Sequence, residues 1–285
     1  MEIKSENKVV ILGKKSFIGR AANQLLKESN YETLILGRDD IDLTQSDASV
    51  KLRKFLKPGD IVIGAAAIAP CKDLQMFEAN LRIVDTICKA VDSSEIDLFL
   101  NISSDAVYPD LVKPINENCT ISPTSLHGAM HLSREIAINS IRGFGVCHLR
   151  PTLVYGPGDT HNGYGPNLFV SKATSKQNIP VFGKGEERRD HIFISDLAQI
   201  ILRIIRMKYS GTLNAVTGTL HSFKDIAETV IDLTEQSISI EYLNRSQPIP
   251  HNGYREFDNS KLVELFPDLV FTSLRSGLIA SMKNN

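Results

Sequence analysis

Short β-branched runs alternate with stretches of helical spacing through the first half of the chain. Val9 to Leu12, Thr33 to Leu36, Ile61 to Ile63, Leu98 to Ile102 and Val146 to Leu149 are each followed by a helix-like or loop segment. This rhythm predicts an α/β fold: a Rossmann-type, doubly wound parallel sheet. Behind the first run, Ile18, Ala21, Ala22, Leu25 and Leu26 recur at helical spacing and form a stripe that can pack on the sheet. After Tyr155 the pattern breaks into a Gly/Pro/Asn-rich stretch, Gly156 to Pro166, expected to be a long functional loop. The predicted division is a Rossmann-type domain over 1–160 and a smaller C-terminal lobe over 161–285. One apolar piece, 212–217, is expected to return to the sheet. Ser222 and Asp225 have capping-box spacing before the apolar positions Ile226 and Val230.

Composition narrows the classes. With 42% hydrophobic and 23% charged residues and a net charge of -1 over 285 residues, no electrostatic bias toward nucleic acid or an anionic membrane is present. Cys71, Cys88, Cys119 and Cys147 form no CxxC pair, so neither a zinc knuckle nor a disulfide framework is indicated, and a cytoplasmic location is expected. No apolar run is long enough to span a bilayer. Val9 to Leu12 is too short for the core of a secretory signal.

The first strand runs into Gly13-Lys-Lys-Ser-Phe-Ile-Gly19 and then into a helix. In that context a glycine turn brings backbone N–H groups and a helix N-terminus against a pyrophosphate. Gly13, Ser16, Phe17, Ile18 and Gly19 are therefore candidate dinucleotide contacts, against the plainer reading of a strand-to-helix turn. The spacing is that of the Gly-x-x-Gly-x-x-Gly turn of short-chain dehydrogenases/reductases, with Ser16 at the middle position. At the end of the second strand, where an acidic residue would favour NAD, stands Arg38. A guanidinium pairs with a 2'-phosphate, so NADP is preferred over NAD. Asp39 and Asp40 can neutralise that charge, and a solvated surface arginine is the competing reading.

The chain resembles the extended short-chain dehydrogenase/reductase family, specifically its NAD(P)-dependent nucleotide-sugar epimerases, dehydratases and reductases, nearly end to end. Asp42-Leu43 is similar to the family's adenine contact and Ala65-Ala66-Ala67 to the small-residue strand end beside the cofactor. Asn80 matches a structural asparagine. Ile102-Ser-Ser-Asp-Ala-Val-Tyr108 resembles the strand end that supplies a catalytic hydroxyl, here Ser104. Arg150-Pro151-Thr-Leu-Val-Tyr-Gly156 resembles the segment under the nicotinamide. Val181-Phe-Gly-Lys-Gly185 with Arg189-Asp190 resembles the substrate-lobe signature. The resemblance implies that Arg189 grips a nucleotide diphosphate, with Arg255 a second candidate and Val181 beside the substrate. It also implies a homodimer and a role in surface polysaccharide or deoxysugar synthesis.

The family's Tyr-x-x-x-Lys motif is held in register by Pro123, Gly128 and Glu135, yet His127 and His131 occupy its tyrosine and lysine positions. Imidazole, with an ordinary pKa of about 6.5 against about 10 for phenol, can exchange a proton near neutral pH. The ring is shorter, and about 1 Å of misplacement costs on the order of a hundredfold in rate. Three readings follow. An enzyme uses Ser104, Asp105 or His127 for proton transfer, with His131 at the cofactor. A catalytically silent homologue binds dinucleotide and nucleotide sugar. The histidine pair, at i, i+4 spacing, ligates a metal, although no third ligand is evident in the sequence. Asp105 stands where 4,6-dehydratases keep an acid, but Ala106 replaces their neighbouring glutamate, which favours an epimerase or reductase. His161 and His191 are further positions that could face a substrate.

Overall fold

The computed structural model describes residues 7–110, 114–159, 163–246 and 248–283. In chain order the elements are β1 (Val9–Leu12), α1 (Phe17–Glu28), β2 (Thr33–Leu36), α2 (Ala48–Arg53), β3 (Ile61–Gly64), α3 (Leu74–Val91), β4 (Leu98–Ile102), α4 (Leu126–Asn139) and β5 (Gly145–Pro151). They continue with β6 (Leu153–Tyr155), α5 (Pro166–Thr174), β7 (Ile179–Phe182), β8 (Arg188–Phe193), α6 (Ile194–Met207), β9 (Gly211–Ala215), β10 (Leu220–Ser222), α7 (Phe223–Leu233), β11 (Ile240–Leu243), β12 (Tyr254–Arg255), α8 (Ser260–Leu265) and α9 (Leu274–Lys283).

The six-stranded sheet has the order β2-β1-β3-β4-β5-β9. Strands β1 to β5 pair in parallel. Parallel strands joined by crossover helices are covered on both faces, so their sequences need no polar alternation. Every residue of β1, β3 and β4 is accordingly buried. One face packs on a core that includes Val10, Leu12, Leu52, Ile83, Ile87 and Phe99. Strand order reverses between β1 and β3, the switch point at whose C-terminal edge ligands bind in such sheets. His161, named above, lies outside the described residues.

By its internal contacts the chain forms two compact units. The first comprises Met1–Pro109, Glu117–Pro151 and Ala198–Asn214; the second comprises Asp110–Asn116, Thr152–Leu197 and Ala215–Asn285. In the second unit β8 pairs with β10, β12 and β6, and β7 pairs in parallel with β11. Helix α7 opens on a complete capping box: Ser222 Oγ accepts from the Asp225 amide and the Asp225 carboxylate accepts from the Ser222 amide. No helix among the described residues is long and apolar enough to cross a membrane.

Candidate active site

The turn after β1 is built by two glycines and a serine. Gly13 has φ +128, and a Cβ there would lie 2.9 Å from the Ala65 carbonyl carbon and 3.1 Å from the Ala66 nitrogen. At Gly19 a Cβ would lie 2.7 Å from the Gly13 carbonyl oxygen. Neither position has room for a side chain. Ser16, by contrast, has φ -66 and ψ 134, open to any L-residue, and its Oγ accepts the Gly19 amide at 3.2 Å as the N-cap of α1. The amides of Phe17 and Ile18, first in the helix, have no acceptor among the described residues. Two unsatisfied N–H groups at a helix N-terminus beside a side-chain-free cradle fit a dinucleotide diphosphate.

The other predicted cofactor positions surround this turn. Leu43 and Ala66 are half-buried against the core, Ala65 packs on Gly13, Ala67 is exposed and Pro151 closes β5. Asp42 accepts from both the Thr44 hydroxyl (2.7 Å) and amide (3.0 Å), which hold its carboxyl below the usual range. Arg38 is exposed. Asp39 and Asp40 lie 3.7 and 3.5 Å from Lys15 and Lys14, so the neighbouring acids face lysines rather than Arg38.

Ser104 and the two histidines belong to a second tight assembly. Ser104 Oγ caps the short 3-10 turn Asp105–Val107 by accepting the Ala106 amide at 3.1 Å and donates to Asp105 at 3.4 Å. Helix α4 meets that turn at Gly128, where a Cβ would collide with the Ala106 carbonyl oxygen and lie 2.8 Å from Pro123. Glu135, one of the register markers, accepts from Arg150 at 2.9 and 2.6 Å and from Ser103 at 2.5 Å. Arg150 also donates to Tyr108, which donates to Asn214. These buried bonds tie β4, α4 and β5 together around Ser104, His127 and His131.

The imidazoles of His127 and His131 lie edge to face, with ring centroids 4.7 Å apart. His127 Nδ1 accepts the Cys71 amide at 3.4 Å. Burial lowers the His127 pKa, against the opposing charge of Asp105. Burial, His127 and the Arg134 cation hold His131 well below the ordinary imidazole value. Both rings are therefore neutral at pH 7. His131 Nδ1 is buried without a hydrogen-bond partner among the described residues, an orphan that fits a ligand hydroxyl. Among the described residues no group of three or more His, Cys, Asp or Glu side chains could hold a metal ion.

In the second unit, β12 lies parallel to β8 with Arg255 directly opposite Arg189. Two cations facing each other across strands repel unless anions share them. Arg189 lies 3.3 Å from Glu187 and Arg255 lies 3.0 Å from Asp110. Asp190 is structural: it accepts the Thr217 amide and hydroxyl and the Gly218 amide. Val181 is completely buried under Gly185, so the side chain that β7 presents to solvent is Phe182, not Val181. Phe182 packs on Tyr164, whose hydroxyl accepts the Phe182 amide. His191 is buried behind Tyr155 and Phe223, and burial first and Arg189 second push its pKa down to about 3.

The sheet, the glycine turn and the switch-point position define a Rossmann-type fold. The sequence profile of the NAD dependent epimerase/dehydratase family matches residues 9–216, and the chain belongs to that family. It is 22% identical over 288 residues to an uncharacterized UDP-glucose epimerase of Bacillus subtilis, covering 97% of this chain and 90% of that one. Over 266 residues it is 23% identical to the GDP-L-fucose synthase of Escherichia coli, covering 79% and 81%. Its fold is similar to a UDP-N-acetylglucosamine 4-epimerase of Methanobrevibacter ruminantium in complex with UDP-N-acetylmuramic acid, at 23% identity and a TM-score of 0.85, covering 97% of each chain. It is also similar to the UDP-glucose 4-epimerase of Thermus thermophilus in complex with NAD, at 19% identity and a TM-score of 0.84, covering 97% and 98%.

Proposed function

We propose that the protein is an NAD(P)-dependent epimerase or reductase acting on a nucleotide-activated sugar. The observation that carries the reading is the register of Arg189 opposite Arg255, a paired-guanidinium site suited to a diphosphate, in a chain of this family. The first unit holds the dinucleotide through the Gly13–Gly19 turn and the second holds the sugar nucleotide. NADP is preferred, because Arg38 is exposed and the acids beside it face lysines. When bound, the nicotinamide supplies or takes up a hydride at a sugar carbon. His131 Nδ1 serves as a hydrogen-bonding partner to the cofactor. Ser104 and His127 exchange the proton at the sugar oxygen, with Asp105 opposing the loss of charge on His127. Exposed Leu81 on α3 and Ile136 on α4 give the paired helices an apolar face for a homodimer. The cytoplasm is the proposed location.

A silent nucleotide-sugar binder is the second reading. It is favoured by the occupied lone pair of Ser104 and by two imidazoles of which neither is cationic at pH 7. Incubation with 4-keto and unmodified nucleotide sugars, with NADPH or NADH, separates the two. The enzyme reading expects turnover that falls about 10² to 10⁴-fold in His127→Ala, the usual cost of losing a positioned acid or base. Unchanged turnover in that variant removes His127 from the mechanism. Binding without turnover on every substrate establishes the silent reading.

A further inference from the structure

Helix α4 carries a charge that none of the site's chemistry has used. Arg134, one turn beyond His131, is 1% exposed and is among the largest fully buried side chains of the protein. Its guanidinium donates to the Ala66 carbonyl at 2.5 Å, the Gly64 carbonyl at 3.1 Å and Asn101 Oδ1 at 3.2 Å. No carboxylate pairs with it among the described residues. The nearby Cys88 thiol supplies no negative charge at neutral pH, because burial pushes its pKa up to about 11. Burial lowers Arg134 itself to about 10, still protonated at neutral pH.

A buried cation without an anion is costly, and proteins normally pair it. The rest of the polar chain does not compensate it. Asn101 Nδ2 donates to His148 Nδ1, and His148 Nε2 donates to Asn139 Oδ1, so His148 is held as a neutral tautomer. That chain fixes the guanidinium in place without adding negative charge. The peptide segment it grips is the one beside the glycine turn: a Cβ at Gly13 would lie 2.9 Å from the Ala65 carbonyl carbon and 3.1 Å from the Ala66 nitrogen, and Arg134 holds the Ala66 carbonyl. With His127 and His131 neutral, Arg134 is the cation on the buried side of α4 beside the cradle.

We propose that Arg134 is the positioning cation of the dinucleotide site: it fixes the Gly64–Ala66 strand end and supplies the buried positive charge that an anionic dinucleotide compensates. The inference rests on the dinucleotide-binding reading. Its test is fluorescence titration of NADPH and NADH against the wild type, Arg134→Gln and Arg134→Lys at pH 6.5, with folding of each variant checked by circular dichroism. Gln retains hydrogen-bonding capacity without charge; Lys retains charge with poorer geometry. The expected result is about tenfold or greater weakening in Arg134→Gln and no more than about threefold in Arg134→Lys. Wild-type affinity in Arg134→Gln, or equal loss in both variants, overturns the charge role while leaving the dinucleotide reading intact. Absence of binding by the wild type overturns both. If neither variant folds, the guanidinium nitrogen resonances of the wild type decide: a shift on adding NADPH is expected, and no shift overturns the proposal.

Discussion

Replacing Glu135 by Gln should lower the unfolding free energy by about 3–5 kcal/mol, because it leaves Arg150 charged and buried without its partner. The pair is 3% and 4% exposed, at 2.6 Å, and bidentate. Ser103 and Tyr108 also depend on it. For a chain of this size that loss is roughly a 5–8 °C fall in midpoint, read by thermal and urea unfolding. The double variant Glu135→Gln/Arg150→Met should lose less than the two single changes summed. Lys89→Ala, which removes an exposed ion pair with Asp85, should stay within about 0.5 kcal/mol. Burial alone would raise the Glu135 pKa, but the Arg150 hydrogen bond and charge, with Ser103, outweigh it and hold it low. A depressed native value means the stabilisation is present above the unfolded carboxyl range and is lost as pH falls through the native value. Wild type should therefore lose stability on acidification more steeply than Glu135→Gln. A midpoint unchanged by the substitution would show that the pair does not hold β4, α4 and β5 together.

Gly128→Ala is expected to be the most damaging small change near the Ser104 and His127 positions proposed for proton transfer. The added methyl carbon collides with the Ala106 carbonyl oxygen, a backbone atom that cannot swing aside, with Pro123 on its other flank. Helix α4 must move from the Ser104 turn, and His127 moves with it. Overpacking of this kind costs about 1–3 kcal/mol. A shift of about 1 Å at a catalytic group costs on the order of a hundredfold in turnover. Gly163→Ala, where nothing lies within 4 Å, should leave stability and turnover unchanged. Equal behaviour of the two alanine variants would contradict the close seating of α4 on the Ser104 turn.

Local patterns carried most of the nucleotide-binding half. The runs at Val9, Thr33, Ile61, Leu98 and Val146 are strands because buried parallel strands leave an unbroken apolar signature. The Ser222–Asp225 box was equally readable, since both its bonds are local. Sequence could not place Arg255 opposite Arg189, because strand register between distant segments is set by packing rather than by neighbours in the chain. The burial of Arg134 is hidden from local pattern for a related reason: an arginine in a helix ordinarily faces solvent, and its partners at Gly64, Ala66 and Asn101 are distant in the chain. The resemblance implies Val181 beside the substrate, whereas Val181 is buried and its strand neighbour Phe182 is exposed, a choice of face that alternation alone does not make.

Ser16 has a consequence for how such proteins are found. Its backbone is ordinary and its hydroxyl starts α1, so the turn needs glycine only at Gly13 and Gly19. A search pattern demanding glycine at all three places discards chains of this kind. Writing the middle place as any helix-capping residue would recover them, and would make that position the natural one at which to redesign the mouth of the turn.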